Sequence, residues 1–172
     1  MFGLMKSKNP YEQVAHDVYG AALEQSRDPA FFTDYGVEDN FEGRFEVLCL
    51  HIFIIMHVIL ADGGNEEFNQ AVFDIMFADI DQALRQTGKG DMGVPKHMRR
   101  MMKGFNGRMN AYEEAFANTK EFEKSILRNL YADEAGAPAK DIAKYIKKNV
   151  KKQTASAILQ GRATFAPITS RT

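Results

Sequence analysis

The sequence predicts an all-α protein, a single-domain bundle of six to seven helices around a central apolar helix at about residues 40–62. Apolar residues recur at helical spacing, and no Asn-Gly or Asp-Gly turn separates two apolar runs, so strands are not indicated. The most apolar run is Val47–Leu60, in which only His51 and His57 interrupt the apolar side chains. A helix this apolar is stable only when other helices cover it, so it is expected at the centre of the fold.

Length and composition indicate one globular domain without a preferred partner. A chain of 172 residues removes roughly 70% of its unfolded surface from water, and the net charge of -1 predicts no particular ligand. The single cysteine, Cys49, excludes an internal disulfide. The Val47–Leu60 run is shorter than the roughly 20 residues of a membrane span, and Met1–Asn9 lacks the apolar run of a signal peptide. We therefore expect a soluble, cytoplasmic protein.

Capping residues and glycines predict where the helices begin and end. Helices are expected to start at Asn9-Pro10, Asp28-Pro29, Asp39 or Asn40, Asn65, Val94-Pro95, Thr119 and Pro138. The first is expected to end near Ser26, and the central helix at Asp62-Gly63-Gly64. The last is a basic amphipathic helix at about 138–160. We treat residues 1–160 as one domain and 161–172 as a disordered tail.

Charge is distributed in blocks along the chain. Residues 62–84 hold six acids without Lys or Arg, and residues 96–112 hold five Lys or Arg without an acid. The final block is the basic helix, whose lysines are Lys140, Lys144, Lys147, Lys148, Lys151 and Lys152. Such blocks form solvated faces or pair with one another. The lysine face could also contact anionic lipid at a membrane surface or ribosomal RNA.

The residues do not indicate an active site or a cofactor. His51 and His57 are six residues apart and lie on different helix faces, and the chain has no paired Glu-x-x-His motif for a di-iron centre. Cys49 lies in an apolar run, where a thiol is unreactive. Gly88-Lys89-Gly90 lacks the ending and the preceding strand of a phosphate loop. We expect no metal, no cofactor and no enzymatic activity.

Two features have both a structural and a functional interpretation. Arg44 and Glu46 stand at the entrance to the apolar helix, where Arg44 either pairs with Asp79 or Asp81 or belongs to a groove for a partner. Unpaired polar groups at such a place would cost about 1–3 kcal/mol each. A methionine stripe, formed by Met92, Met98, Met101, Met102 and Met109, is either core or an adaptable surface for apolar clients.

Several linked motifs between Tyr19 and Tyr112 resemble the ubiquinol–cytochrome c chaperone family. They are Asp39…Glu42-Gly43-Arg44-Phe45-Glu46…His51, Phe73-Asp74…Asp79-Ile80-Asp81…Leu84-Arg85, Gly88…Gly90-Asp91…Val94-Pro95-Lys96 and Phe105-Asn106-Gly107-Arg108…Tyr112. Asn106 stands where a tyrosine is expected in the last motif, and after Tyr112 the resemblance is looser.

The resemblance implies a non-enzymatic assembly factor that binds newly made cytochrome b and aids assembly of the ubiquinol–cytochrome c reductase (bc1) complex. It implies a bacterial member, peripheral at the cytoplasmic face of the inner membrane. A small partner protein and the ribosome are candidate further partners; DNA is not. The alternative is a basic-helix module for anionic membrane or ribosomal RNA. The expected partner-binding residues are Asp39, Arg44, Glu46, His51, Asp81, Arg85, Asp91, Lys96, Lys103, Phe105, Arg108 and Tyr112.

Overall fold

Helices account for all the regular secondary structure in residues 8–88 and 93–171, the part of the chain that the computed structural model describes. Their bounds are α1 Glu12–Ser26, α2 Ala30–Thr33, α3 Phe41–Ala61, α4 Glu66–Gln86, α5 Gly93–Ala115, α6 Thr119–Tyr131, α7 Ala139–Lys152 and α8 Ala155–Ile158. Six of them have 13 or more residues, and α2 and α8 have four residues each. The predicted all-α class is confirmed.

Asparagine caps fix three of the helix starts. The side chains of Asn40, Asn65 and Asn118 accept hydrogen bonds from backbone N–H groups in the first turns of α3, α4 and α6. These groups have no partner inside the helix, so each cap stabilises its helix by about 1 kcal/mol. At α1 the Asn9 side chain instead bonds the N–H of Tyr11, and the helix begins at Glu12.

Helix α3 is the centre of the fold, as predicted. Cys49 and Ile52 belong to an apolar cluster shared with α1, α4 and α5, while Leu50 and Phe53 belong to a second cluster shared with α6 and α7. Among the described residues, α3 is also the one helix long and apolar enough to cross a membrane, yet 72% of its most apolar stretch is buried inside the fold. Its apolar side chains are therefore used by the protein core.

The other long helices surround α3. Helix α1 packs on α3 and α4, and then α4 on α5, α5 on α6 and α6 on α7. Helix α3 contacts α1, α5, α6, α7 and the short α8. The start of α3 lines a common cavity with the C-terminal halves of α1 and α4.

The C-terminal tail, expected from sequence to be disordered, packs on the fold within the described residues, which extend to 171. Ala166 and Ile168 are buried, and the Ala166 N–H donates to Asn149 Oδ1 at 2.8 Å. The Tyr35 hydroxyl donates to the Thr169 carbonyl oxygen at 2.7 Å. The basic helix is correspondingly shorter than expected, because α7 ends at Lys152 and the chain turns back through α8.

Candidate functional site

The first turns of α3 send consecutive side chains in different directions. A Cβ atom at Gly43 would lie 1.9 Å from the carbonyl oxygen of Glu38, so only glycine allows this loop to approach the helix. Arg44 points to solvent, while Phe45 and Glu46 are buried. Within one helical turn, the start of α3 therefore carries an exposed charge, Arg44, and a buried charge, Glu46.

Glu46 forms a partly buried ion pair with Arg108 of α5. Arg108 Nε donates to Glu46 Oε2 at 2.6 Å, and Nη2 donates to the other carboxylate oxygen. The Glu46 side chain is 11% exposed and that of Arg108 is 25% exposed. Burial raises the pKa of Glu46, and Arg108 opposes this rise. The pair ties α3 to α5 and also places the guanidinium 5.7 Å from the centre of the Phe45 ring.

His51 is fully buried and belongs to the core. Its Nδ1–H donates to the Val47 carbonyl oxygen at 2.8 Å, so Nε2 accepts from the Tyr145 hydroxyl at 2.9 Å. Burial lowers the pKa of His51 to about 4, so the ring is neutral at pH 7. Phe105 and Tyr112 are also buried. These three side chains support the fold and offer no surface to a partner.

Arg44 and Asp39 form an exposed ion pair beside the start of α3. Arg44 Nε lies 2.8 Å from Asp39 Oδ1, with the two side chains 64% and 57% exposed. Of the two interpretations of Arg44, pairing with Asp79 or Asp81 of the acidic helix is therefore not what the structure shows. Asp79 accepts a hydrogen bond from the Tyr19 hydroxyl at 2.5 Å, and Asp81 pairs with Arg85 on its own helix at 2.9 Å.

A continuous depression, here called the α1 trough, follows α1 and is closed by α3 and α4. Its middle, the apolar slot, has a volume of about 170 Å³ and is lined mainly by Leu23, Phe41, Phe45, Leu48, Ile80 and Ala83. One end, the arginine pocket, measures about 290 Å³ and includes Arg27, Thr33, Asp39 and Arg44. The other end, the acidic pocket, measures about 560 Å³ and includes Glu12, His16, Asp74 and Asp79.

The three parts of the α1 trough share lining residues. Tyr19 and Asp79 line both the acidic pocket and the apolar slot, and Arg27 and Arg44 line both the apolar slot and the arginine pocket. Arg27, Tyr19 and Asp79 were not among the residues predicted from sequence. No local sequence pattern could have identified these three residues, because the trough forms only where α1 crosses α3 and α4.

The remaining predicted residues are spread over the surface. Lys96 and Lys103 are exposed on α5, and Asp81 and Arg85 lie on α4 outside the trough lining. Asp91 lies outside the described residues. The structure thus brings Arg44 and Asp39 together and Glu46 and Arg108 together, but it does not gather the whole predicted set into one site.

The methionine stripe is core rather than surface. Met98 and Met101 are buried, and Met102 and Met109 are half-buried against the same apolar cluster. Met92 lies outside the described residues. A Met-rich client surface is therefore not formed by the four described methionines.

Five of the six lysines on α7 are exposed, and Lys147 is different. Its ammonium donates to Thr119 Oγ1 at 3.0 Å and lies over the Phe116 and Phe122 rings. The apolar face of α7, with Ile142 and Ile146, is buried in the fold. Any membrane contact of this helix would have to be electrostatic, since no apolar face is left to insert.

The described residues contain no group of three or more metal-type side chains that could hold an ion. The only cysteine, Cys49, is fully buried, and burial raises the pKa of its thiol. The cysteine thiol and the His51 ring both lie inside the core of the helical bundle.

Comparison with known proteins identifies the class. The family model described as Ubiquinol-cytochrome C chaperone matches residues 33–165, and the chain belongs to this family. The resemblance seen in the sequence is thereby confirmed.

A solved structure extends the match to nearly the whole chain. The crystal structure of the Cbp3 homolog from Brucella abortus is 29% identical, with a TM-score of 0.78. The match covers 95% of this chain and 93% of that one, so the two chains share nearly the whole fold. Comparison with curated proteins finds no match.

Proposed function

We propose that this protein binds newly made cytochrome b and, without catalysing a reaction, aids its incorporation into the ubiquinol–cytochrome c reductase complex. The observation that carries the proposal is the family match over residues 33–165, which spans most of the folded chain. An assembly-factor role follows from the family. Cytochrome b is the client that the sequence motifs imply.

The surface around Arg44 is the proposed place of client contact. It offers an apolar slot next to exposed charges, and such a combination suits a segment that has not yet reached its final, buried position. Among the described residues, Arg44 pairs with Asp39 and Asp81 pairs with Arg85, both close neighbours in sequence. Exposed pairs of this kind contribute about 0–1 kcal/mol to stability, so both residues can be changed without unfolding the protein.

The test is in-cell crosslinking, followed by purification of the tagged protein from detergent and identification of partners by mass spectrometry. We compare the wild type with Arg44→Glu and Asp81→Lys. The control is Lys124→Glu on α6, because the Lys124–Glu121 pair matches the Arg44–Asp39 pair in distance, 2.9 against 2.8 Å, and in exposure. Each variant is checked for helical circular dichroism.

We expect cytochrome b to be recovered with the wild type and the control. Its recovery should be clearly lower with Arg44→Glu. The bc1 content of the membrane should fall in parallel. Absence of cytochrome b from every sample, at a depth that detects other membrane proteins, would overturn the proposal. Equal recovery of cytochrome b with all four proteins would show that the client contacts a part of the surface other than Arg44 and Asp81.

A basic-helix module is the second candidate, supported by the lysine face of α7. Lys140, Lys144, Lys148, Lys151 and Lys152 are exposed. Their binding to vesicles containing phosphatidylglycerol, or to ribosomal RNA, should fall steeply with salt. Replacing these five lysines with glutamine should abolish such binding, whereas unchanged binding would remove this candidate. Lys147 is kept, because it packs on α6.

A further inference from the structure

We propose that the α1 trough binds its client segment in one direction, with an acidic group of the segment at Arg27 and a basic group at the acidic pocket. The segment carries apolar side chains between these two charges. This inference rests on the proposed function, because it takes the client to be cytochrome b.

The charges of the trough change sign along its length. Glu12, Asp74 and Asp79 line one end, where no lysine or arginine is among the described lining residues. Arg27, Arg44 and Asp39 line the other end, where Asp39 pairs with Arg44 and Arg27 is left as the net positive charge. Complementary charge at the two ends favours one orientation of a bound segment and penalises the reverse, since like charges would then face each other.

Arg27 is the exposed arginine of the trough that is available to a carboxylate of the client. Arg44 is already paired with Asp39, and Asp79 already accepts a hydrogen bond from Tyr19. Arg27 forms no ion pair within the described ranges, yet it stands at the junction of the apolar slot and the arginine pocket. A carboxylate on the client would pair with Arg27 at the edge of an apolar surface, and the water excluded by the bound client would strengthen this charge-assisted hydrogen bond.

The narrow middle and the length of the trough fit a peptide segment. The apolar slot, at about 170 Å³, is smaller than the roughly 300–1,000 Å³ of pockets that enclose drug-sized ligands. It has room for one or two apolar side chains. Helix α1 has 15 residues, so the trough beside it is about 22 Å long, the length of a client helix of similar size.

The test places a photo-crosslinking amino acid at Ala83 in the apolar slot, in the full-length protein and in cells that make the bc1 complex. A second position, Thr33, lies exposed in the arginine pocket and serves if the Ala83 variant is unstable. Crosslinked peptides are identified by mass spectrometry. Crosslinking is then repeated with Arg27→Glu and with the matched control Lys124→Glu.

We expect a cytochrome b segment in which an acidic residue lies within about one helical turn of the crosslinked apolar residue, on the side of Arg27. Arg27→Glu should lower the crosslinking yield about fivefold to tenfold, while Lys124→Glu leaves it unchanged. Changing the client's acidic residue to lysine should restore the yield with Arg27→Glu, because the charge pair is then re-formed with reversed sign.

Three outcomes would overturn the inference. One is a cytochrome b segment with no acidic residue near the crosslink, and another is an equal yield with Arg27→Glu and Lys124→Glu. The third is crosslinking of Ala83 and Thr33 to lipid or to a second copy of this chain. If cytochrome b is still recovered by general crosslinking in any of these cases, the proposed function stands and only the direction and place of binding are wrong.

Discussion

Replacing Arg108 with leucine should destabilise the protein chiefly by leaving Glu46 buried without its partner. Breaking a buried ion pair costs about 3–5 kcal/mol, while an exposed pair contributes about 0–1 kcal/mol. The Arg108 side chain is 25% exposed, so some water reaches the site and we expect about 3 kcal/mol. For a chain of this length that corresponds to a fall in Tm of about 6–12 °C.

The double variant Glu46→Leu with Arg108→Leu separates the cost of an unpaired, buried Glu46 carboxylate from the cost of lost packing. It removes the buried carboxylate together with the arginine, so it should be more stable than Arg108→Leu alone by about 1 kcal/mol or more. Arg44→Leu is the matched control, because it breaks an exposed ion pair at the same end of α3. Its cost should stay below about 1 kcal/mol.

The effect should also depend on pH. Burial raises the pKa of Glu46 and Arg108 opposes the rise, so the pKa is higher still in Arg108→Leu. A carboxyl whose pKa is raised by folding favours the folded state below that pKa and opposes it above. The loss of folding stability caused by Arg108→Leu should therefore become smaller as the pH falls from about 8 to about 5.

Urea unfolding followed by circular dichroism measures these differences for the wild type and the three variants at both pH values. The reasoning would be refuted by a double variant that is less stable than Arg108→Leu. It would equally be refuted if Arg108→Leu cost no more than Arg44→Leu, since Glu46 would then be adequately solvated without its partner.

Three further predictions concern the core, the loop before α3 and the tail. The pKa of His51 is lowered from 6.5 to about 4, so the wild type should lose on the order of 3 kcal/mol as the pH falls through this window. Urea unfolding of His51→Gln should lack that dependence, and an identical pH profile would contradict it. Gly43→Ala should cost about 1–3 kcal/mol, because its Cβ would meet the Glu38 carbonyl; an unchanged Tm would show that the loop moves freely. Deleting residues 162–172 should cost about 3 kcal/mol by removing the buried Ile168 and its neighbours, whereas a disordered tail would leave Tm unaltered.

Local sequence signals located the helices well because their physics is local. Asn40 and Asn65 cap α3 and α4 as predicted, and Gly63 and Gly64 follow the end of α3 with positive φ angles. A cap acts within three residues, and helical periodicity acts within one or two turns. The burial of Cys49 followed from the same apolar run.

The candidate site was predicted only in part, because its contacts join residues that are distant in sequence. Arg44 was identified as a surface residue of interest, but its partner is the nearby Asp39 rather than the acidic helix. Glu46 and Arg108 are 62 residues apart, and nothing in either segment specifies the other. The contacts of the tail could not be predicted either, because its polar composition resembles a flexible segment and its partners, such as Asn149 and Tyr35, lie elsewhere in the chain.

The sequence by itself determined the class of fold, the central position of α3 and the family. Each follows from short patterns whose meaning does not depend on distant residues. Only the tertiary structure decided which charges are buried and which are free. The crossing of α1 over α3 and α4 creates the trough and places opposite charges at its two ends, since the packing of helices sets those distances. It also leaves Arg27 without a carboxylate partner in the part of the chain that the structure describes.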